Sequence, residues 1–470
     1  MSNVRLVGLD FGTTTSSCVV ASATLAHNAV SGRQELTGIR EDYRSDLVFT
    51  PFDEHGLDEC RLQKYVDTWL AAGNVVPEEI FGGGALLTGL AVQQQNSAVL
   101  VELIRSRLGN ALIATADDPR LEAWLAFQAS ASPLSRSHSD RWVVNLDMGG
   151  GTTNIALGKN GEVVGTGSLF VGARHVQFVP GTYRIRKLSD FARSLLTHLK
   201  IARGPGDCLD GTEVEAMLDF YIDLVEGTVA GDTRIFDDPI ARLHQQVAFT
   251  PPPDVRDAIV TLSGGVGQLV YGCRDAERLP STTFFGDLGI DLARRLLTSP
   301  RWAAHFRNFE PACSGRATVY GLLLHTTQVS GSTLFLPDPA ILPLRNLPIV
   351  GRVTANSTEG QIRDILQLVG RSLHGGSVQI MSSGRGAAGV AALGERIAAA
   401  LKTVGFPSDR PLVLVVEENI GKALGQYVSR WGALPVKLVV LDEIEIRDAR
   451  FLHIGNVHNQ AVPVSFYGMN

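Results

Sequence analysis

A mostly apolar segment near the centre of the chain ends in an acid and a cluster of glycines. Residues 143–146 are followed by Asp147, then by Gly149, Gly150 and Gly151, and then by Thr152, Thr153 and Asn154. An apolar run that meets glycines predicts a buried strand followed by a tight turn. Taken alone, this pattern is equally typical of an ordinary glycine-rich hairpin.

The start of the chain repeats the pattern. Residues 4–9 are mostly apolar and lead into Asp10, Gly12 and a run of hydroxyl residues. A second strand-like segment follows each copy, at 17–22 and at 155–158, and the second copy continues through Asn160-Gly161, a strong hairpin signal. Two copies, a domain's length apart, predict an internal duplication.

A third element fits the same plan. Residues 257–262 form an apolar strand pattern that runs into Ser263, Gly264 and Gly265. A strand-to-helix turn alone would explain these glycines. We favour a nucleotide-binding role because the two loops precede them.

Apolar spacing predicts most of the remaining elements. Helices are expected over 57–72, 96–109, from 119, 213–228, 319–327, 358–371 and from 419, and strands over 111–115, 412–416 and 436–442. Residues 82–84 are predicted to be a loop before a short strand that ends at Thr88-Gly89, and 130–140 a surface loop. A small-residue tract covers 382–394.

Composition excludes several classes of protein. The net charge is −6 and the sequence has no stretch rich in Lys and Arg, so nucleic acid is not an expected partner. No segment approaches the roughly 18 apolar residues of a membrane helix, and residues 4–9 are too short for a secretion signal. Five scattered cysteines without a Cys-x-x-Cys pair predict reduced thiols in the cytoplasm, and Cys18 is expected to pack in the core.

The two loops also suggest a chemistry. Glycine lets the backbone approach a ligand closely, and consecutive N–H groups in such a turn can surround phosphate oxygens. Asp147, at the end of its strand, would then hold Mg²⁺ through water. The histidines His175, His198 and His244 show no metal-ligand spacing and are expected to be structural.

The order of loop, loop and strand-Gly-Gly resembles the superfamily of actin, sugar kinases and the seventy-kilodalton chaperones. The resemblance implies an α/β fold: a duplicated actin-like (ribonuclease H-like) ATPase with lobes at 1–135 and 136–330 and a C-terminal α/β appendage at 331–470. It also implies ATP or ADP with Mg²⁺ between the lobes, with Asp10 and Asp147 as catalytic and metal-binding acids. The implied nucleotide contacts are Gly12, Thr13, Thr14, Thr15, Gly149, Gly150, Gly151, Thr152, Thr153, Ser263, Gly264, Gly265 and Val266.

A further acid is implied by the same resemblance. Pro119-x-x-Glu122 stands where the superfamily begins a crossover helix, and this implies that Glu122 orients the attacking water. A first-turn acid favoured by the helix dipole is the alternative. In the second crossover helix, Leu322 and Leu323 occupy places where small residues are expected, which leaves open how closely the helices approach.

Four C-terminal segments narrow the resemblance. Residues 330–335, 343–349, 414–425 and 441–455, together with 171–174, 261–267 and both loops, are similar to the ethanolamine ammonia-lyase reactivating factors. That family implies ATP- and Mg²⁺-dependent release of damaged cobalamin, with ethanolamine ammonia-lyase as partner. It leaves open a homo-oligomer and association with a bacterial microcompartment. The cobalt-binding motif Asp-x-His-x-x-Gly is absent: Asp53-Glu-His55 comes nearest, with Asp58 in the place of the glycine.

Three alternatives remain at this point. A small-molecule kinase would share all three nucleotide elements but needs a substrate base, which no motif reveals. A non-hydrolysing actin-like scaffold would lack a reason for the C-terminal appendage. A degenerate ATPase would bind nucleotide with little hydrolysis.

Overall fold

The first lobe is built on a mixed six-stranded sheet. The computed structural model describes residues 2–12, 15–28, 33–53, 56–87, 97–108, 112–115, 118–253, 255–273, 278–384 and 386–469. The elements of this lobe are β1 (Ser2–Phe11), β2 (Thr15–His27), β3 (Gln34–Arg44), β4 (Val48–Phe49), the small pair β5 (Phe52–Asp53) and β6 (Gly56–Leu57), α1 (Glu59–Ala72), β7 (Ile80–Leu87), α2 (Ser97–Leu108) and β8 (Leu112–Thr115). The strand order is β3-β2-β1-β7-β8, with β4 beside β2.

The second lobe repeats this plan. Its elements are β9 (Trp142–Met148), β10 (Thr153–Lys159), β11 (Glu162–Leu169), the pair β12 (Val176–Phe178) and β13 (Ile185–Leu188), α5 (Asp190–His198), α6 (Gly211–Val229), α7 (Pro239–Leu243), β14 (Gln245–Val247), β15 (Ile259–Ser263), α8 (Gly264–Cys273), α9 (Gly289–Thr298) and α10 (Ala303–Asn308). The strand order is β14-β11-β10-β9-β15.

Strand directions confirm the predicted duplication. In the first lobe β1 is antiparallel to β2, β2 to β3, and β1 is parallel to β7. In the second lobe β9 is antiparallel to β10, β10 to β11, and β9 is parallel to β15. Each lobe therefore has the same four-strand arrangement around its first strand.

Local signals explain why several elements begin and end where they do. Asn160 and Gly161 both have positive φ, at 52° and 85°, as the predicted two-residue turn between β10 and β11 requires. Asp58 caps α1 by accepting from the Arg61 N–H, and Gly73 follows its end. Cys18 is fully buried, as predicted.

Two crossover helices join the lobes and lie against each other: α3 (Pro119–Ser130), which is followed by α4 (Ser132–Ser137), and α11 (Ala317–His325). At Gly321 a Cβ atom would lie 2.3 Å from the carbonyl oxygen of Leu125, so only glycine permits this contact. Leu322 is buried beside Leu125 in a cluster between the helices, and Leu323 packs towards the first lobe. Their bulk therefore does not hold the helices apart.

The C-terminal part is an α/β unit, as predicted. Its seven-stranded sheet has the order β16-β22-β21-β17-β18-β19-β20, and β17 to β20 are parallel. The elements are β16 (Thr327–Ser330), β17 (Leu344–Thr354), α12 (Glu359–Arg371), β18 (Gly376–Ser382), α13 (Gly386–Val404), β19 (Pro411–Val416), α14 (Gly421–Ser429), β20 (Lys437–Leu441), β21 (Ala449–Ile454) and β22 (Val462–Met469). Arg447 joins this unit to both crossover helices, since its guanidinium lies 4.7 Å from the Trp124 ring centre and donates to the His325 carbonyl at 3.2 Å.

Two loop predictions were wrong. Residues 82–84 lie inside β7, where Gly83 has a φ of 96° and approaches the Val7 carbonyl, and Gly82 packs against Thr327. Part of the predicted loop at 130–140 is the helix α4. The predicted strand end at Thr88-Gly89 and the residues Glu54 and His55 lie outside the described ranges.

Within the described ranges, no helix is both long and apolar enough to cross a bilayer.

The close contact between the crossover helices predicts the effect of Gly321→Ala. Alanine favours helix by up to about 1 kcal/mol over glycine, but the steric conflict with Leu125 should outweigh this and lower the free energy of unfolding by about 1–3 kcal/mol. Urea denaturation of both proteins measures the difference. Gly272→Ala is the matched control, because Gly272 lies in α8 with nothing within 4 Å of its Cβ position, and it should be neutral or stabilising. Stabilisation by Gly321→Ala would contradict the contact.

Candidate active site

A cleft lies between the lobes at the ends of β1 and β9, beside the two crossover helices. It brings together both predicted glycine loops, the Gly264-Gly265 turn and the first turns of α3 and α11. The described residues that line it are Asp10, Gly12, Thr15, Ser17, Leu47, Glu122, Asp147, Gly149, Gly150, Gly151, Thr152, Asn154, Gly264, Gly265, Gln268, Arg316, Ala317 and Thr318.

The two loops have matching geometry. The N–H of Gly12 donates to the Thr15 carbonyl at 3.0 Å, and the N–H of Gly149 donates to the Thr152 carbonyl at 2.9 Å. Asp10 pairs with Ser17 across β1 and β2, as Asp147 pairs with Asn154 across β9 and β10. The duplication therefore extends to individual positions of the cleft.

Asp147 is held by a chain of buried hydrogen bonds. The Ser263 hydroxyl donates to its Oδ1 at 2.6 Å, the Asn145 amide donates to Ser263 at 2.9 Å, and Thr261 donates to Asn145 at 3.0 Å. Burial raises the pKa of Asp147 to about 6, and the Ser263 hydrogen bond opposes that rise. The chain keeps the carboxylate pointing into the cleft.

Asp10 has fewer partners. The Thr318 hydroxyl donates to its Oδ2 at 3.1 Å, and its buried Oδ1 has no hydrogen-bond partner. Burial raises the pKa of Asp10 to about 7; the Thr318 bond lowers it and the charge of Asp147 raises it further. Two partly buried carboxylates thus line the same cleft, close enough for the charge of Asp147 to act on Asp10.

These two acids fit a divalent cation. Mg²⁺ is typically held by one or two carboxylates, with water and substrate phosphates completing its shell, and the partnerless Oδ1 of Asp10 is a suitable ligand or water acceptor. In the part of the chain that the structure describes, no group of three or more His, Cys, Asp or Glu side chains is placed to hold a metal. The site therefore suits a metal ion that is bound partly by the phosphates of a ligand, and not one held by protein side chains alone.

Glu122 lies in the first turn of α3 and is 6% exposed. The Asn154 amide donates to its Oε2 at 2.5 Å, and the Ser168 hydroxyl donates to Asn154 Oδ1 at 2.7 Å. Asn154 lies directly after the second loop. Glu122 is therefore oriented by the second lobe although its own helix begins at the first.

Not every predicted residue reaches the cleft. Thr153 is buried and its hydroxyl donates to the Val171 carbonyl, so it faces away from the cleft. Ser263 acts on Asp147, and Val266 is buried in the core of the second lobe. Thr13 and Thr14 lie outside the described ranges. The remaining predicted glycines and threonines line the cleft.

Several residues of the site were missed by the sequence analysis. Thr318 and Arg316 open α11, and Gln268 lies in α8, so each belongs to an element whose approach to the loops depends on tertiary structure. His175 supports the second loop through a 2.8 Å hydrogen bond from its Nε2 to the Gly151 carbonyl. Burial lowers the pKa of His175 to about 4, so it is neutral near pH 7.

Two lobes that share a four-strand arrangement, with equivalent glycine loops lining one cleft, define an actin-like ATPase fold. The chain belongs to the family of the ethanolamine utilisation protein EutA, whose model matches residues 2–468. The ethanolamine ammonia-lyase reactivase EutA of Salmonella typhimurium (strain LT2) is 30% identical over 469 residues, which covers 96% of this chain and 94% of that protein. The protein of the same name from Escherichia coli (strain K12) is 30% identical over 471 residues with the same coverage.

Solved structures match more weakly. A PPX-GPPA enzyme of Aquifex aeolicus has a TM-score of 0.37 at 15% identity, covering 69% of this chain and 99% of its own. The ethanolamine utilisation protein EutJ of Carboxydothermus hydrogenoformans has a TM-score of 0.26 at 15% identity, covering 68% and 88%. The fold is therefore assigned from the strand order of the two lobes and from the family, and not from these structures.

The facing carboxylates predict an unusual pH dependence for Asp10→Asn. The folded-state pKa of Asp10 is raised from 3.8 to about 7, so the folded wild type loses stability as pH rises through that window. Without metal or nucleotide, Asp10→Asn should therefore be more stable than wild type at pH 8, by about 4 kcal/mol, and the gain should disappear below pH 4. Chemical denaturation across this pH range measures the difference.

Asp140→Asn serves as the control because Asp140 is exposed and outside the cleft. It should change stability little at either pH. If Asp10→Asn were equally destabilising at pH 4 and pH 8, ionisation of Asp10 would not lower the stability of the folded protein.

Proposed function

We propose that this protein is an ATP-dependent reactivating factor for ethanolamine ammonia-lyase. The observation that carries the proposal is similarity to two ethanolamine ammonia-lyase reactivases over 96% of the chain, including the C-terminal unit that a bare two-lobe ATPase lacks. The cleft supports the ATP dependence, because its paired loops and acids suit a nucleotide with its metal.

In this proposal the backbone N–H groups of both loops bind the phosphates. Asp10 and Asp147 would hold Mg²⁺ and its waters, and the ion would neutralise phosphate charge. Glu122, fixed by Asn154, orients a water towards the terminal phosphorus and draws its proton. The water oxygen bonds to phosphorus as the bond to the bridging oxygen breaks, and ADP departs with that electron pair.

Hydrolysis serves the partner only if the two nucleotide states bind it differently. A change in the partner requires a difference in affinity between the states, since equal affinity would shift nothing. We propose that one state binds the lyase in a form that holds cobalamin weakly. Damaged coenzyme then leaves and adenosylcobalamin enters. Because the sequence lacks the cobalt-binding histidine motif, the cobalamin is exchanged on the lyase and is not transferred to this chain.

Asp147→Asn tests the role of the metal-facing acids. The substitution keeps the shape and the Ser263 contact but removes the charge, so hydrolysis should fall roughly a hundredfold, or about 3 kcal/mol of transition-state stabilisation. Release of phosphate from Mg-ATP, with thermal unfolding as the folding check, measures this. A wild-type rate in Asp147→Asn would make Asp147 structural. Glu122→Gln is the companion variant and should slow hydrolysis while nucleotide affinity is kept.

Reactivation of the lyase tests the function itself. Ethanolamine ammonia-lyase inactivated with an adenosine-free cobalamin should regain activity when this protein, ATP, Mg²⁺ and adenosylcobalamin are added. Omitting ATP or Mg²⁺, or using Asp10→Asn, should abolish recovery. Recovery without nucleotide would contradict the mechanism, and no recovery under any condition would contradict the function. A kinase would instead consume ATP with a small alcohol or acid and leave the lyase inactive.

A further inference from the structure

The charges that line the cleft are unevenly distributed. Among its described lining residues, Asp10, Glu122 and Asp147 are acids, and Arg316 is the single lysine or arginine. A nucleoside triphosphate brings several negative charges into this space. Mg²⁺ offsets part of that charge, and Arg316 is the described side chain placed to offset more.

The guanidinium of Arg316 lacks a carboxylate partner. Its Nη2 donates to the Ser45 carbonyl at 2.7 Å, and no acid of the described residues lies within ion-pair distance of it. The nearby Glu41 has other partners: it forms an ion pair with Arg44 at 3.7 Å and accepts a hydrogen bond from the Tyr320 hydroxyl. Burial and the charge of Arg44 lower the pKa of Arg316, and the charges of Tyr320, Glu41 and Asp46 oppose this without forming an ion pair.

The guanidinium is also held in a defined place. Ser45 is itself fixed to β2, because its N–H donates to the Cys18 carbonyl and its hydroxyl accepts from the Cys18 N–H. A single anchor on a rigid loop leaves most N–H groups of a planar, forked donor set available for an anion.

The backbone of Arg316 points to the same role. Its φ is 58°, in the left-handed region that a residue with a side chain rarely occupies, and it stands at the start of α11 two residues before Thr318. Thr318 donates to Asp10. The left-handed turn thus brings an arginine and the partner of a cleft carboxylate to the same wall of the cleft.

We propose that Arg316 binds the terminal phosphate of the nucleotide and makes the cleft distinguish ATP from ADP. The inference rests on the proposed function and adds a residue to it. Arginine can form two parallel hydrogen bonds to phosphate oxygens, a geometry that a lysine cannot reproduce. Because Arg316 is the N-cap residue of α11, a contact with the terminal phosphate acts directly on a crossover helix.

Calorimetric titration tests this without requiring hydrolysis. Wild type, Arg316→Gln and Arg316→Lys are each titrated with a non-hydrolysable ATP analogue and with ADP, both with Mg²⁺. Arg316→Gln should bind the ATP analogue about 10- to 100-fold more weakly, the loss expected for one or two hydrogen bonds to a charged group. Its affinity for ADP should change less than about threefold. Arg316→Lys should show a smaller loss of the same kind and supplies the result if the glutamine variant does not fold.

Arg186→Gln is the matched control. Arg186 is exposed and does not line the cleft, so its removal should leave both affinities unchanged. Arg316 variants that bind the ATP analogue as wild type does would overturn the inference while the proposed function stands. Equal loss of both nucleotides would also overturn it, because the contact would then not be to the terminal phosphate. A wild type that binds neither nucleotide would overturn the proposed function together with this inference.

Discussion

Desolvation of the carboxylates of Asp10 and Asp147 is the constraint on which the rest of the cleft depends. Both residues are partly buried at the ends of equivalent strands, and removal from water raises the pKa of each carboxyl. A folded chain keeps such a pair only where packing elsewhere compensates for it. Here that packing comes from the cores of the two lobes and from the contact between α3 and α11. A cation bound between these two acids would offset the cost of their desolvation and would stabilise the contact between the lobes.

The two lobes support this pair unequally. Asp147 sits at the end of a chain of hydrogen bonds through Ser263, Asn145 and Thr261, all inside one sheet. Asp10 depends instead on Thr318, a residue of a crossover helix. A shift of that helix would change the hydrogen bond to Asp10, whereas the hydrogen bonds that reach Asp147 do not involve it. The duplication is therefore symmetric in its strands and asymmetric in its response.

Sequence reasoning succeeded where the signal is local. The strand-Asp-Gly pattern predicted both loops, and the hairpin at Asn160-Gly161 follows from two residues. It failed where the partner is distant. The glycines at 82–84 lie in a strand because Val7 and Thr327 pack against them, and no local pattern reveals those neighbours. Thr153 lies one residue beyond Thr152, and strand alternation turns it away from the cleft. Thr318 meets Asp10 across 308 positions, so only the folded chain shows the pair.

The junction between α11 and β16 has a mechanical consequence. Thr326 alone separates the end of α11 at His325 from the start of β16 at Thr327. β16 is the edge strand of the seven-stranded sheet of the C-terminal unit, where it pairs with β22. A linker of one residue cannot absorb a tilt. A rotation of α11 therefore has to shift the outer strand of the C-terminal unit, with Arg447 as a second point of attachment at the same helix end. The C-terminal unit is in this sense coupled to the cleft, because the helix that carries Thr318 and Arg316 ends directly in its sheet.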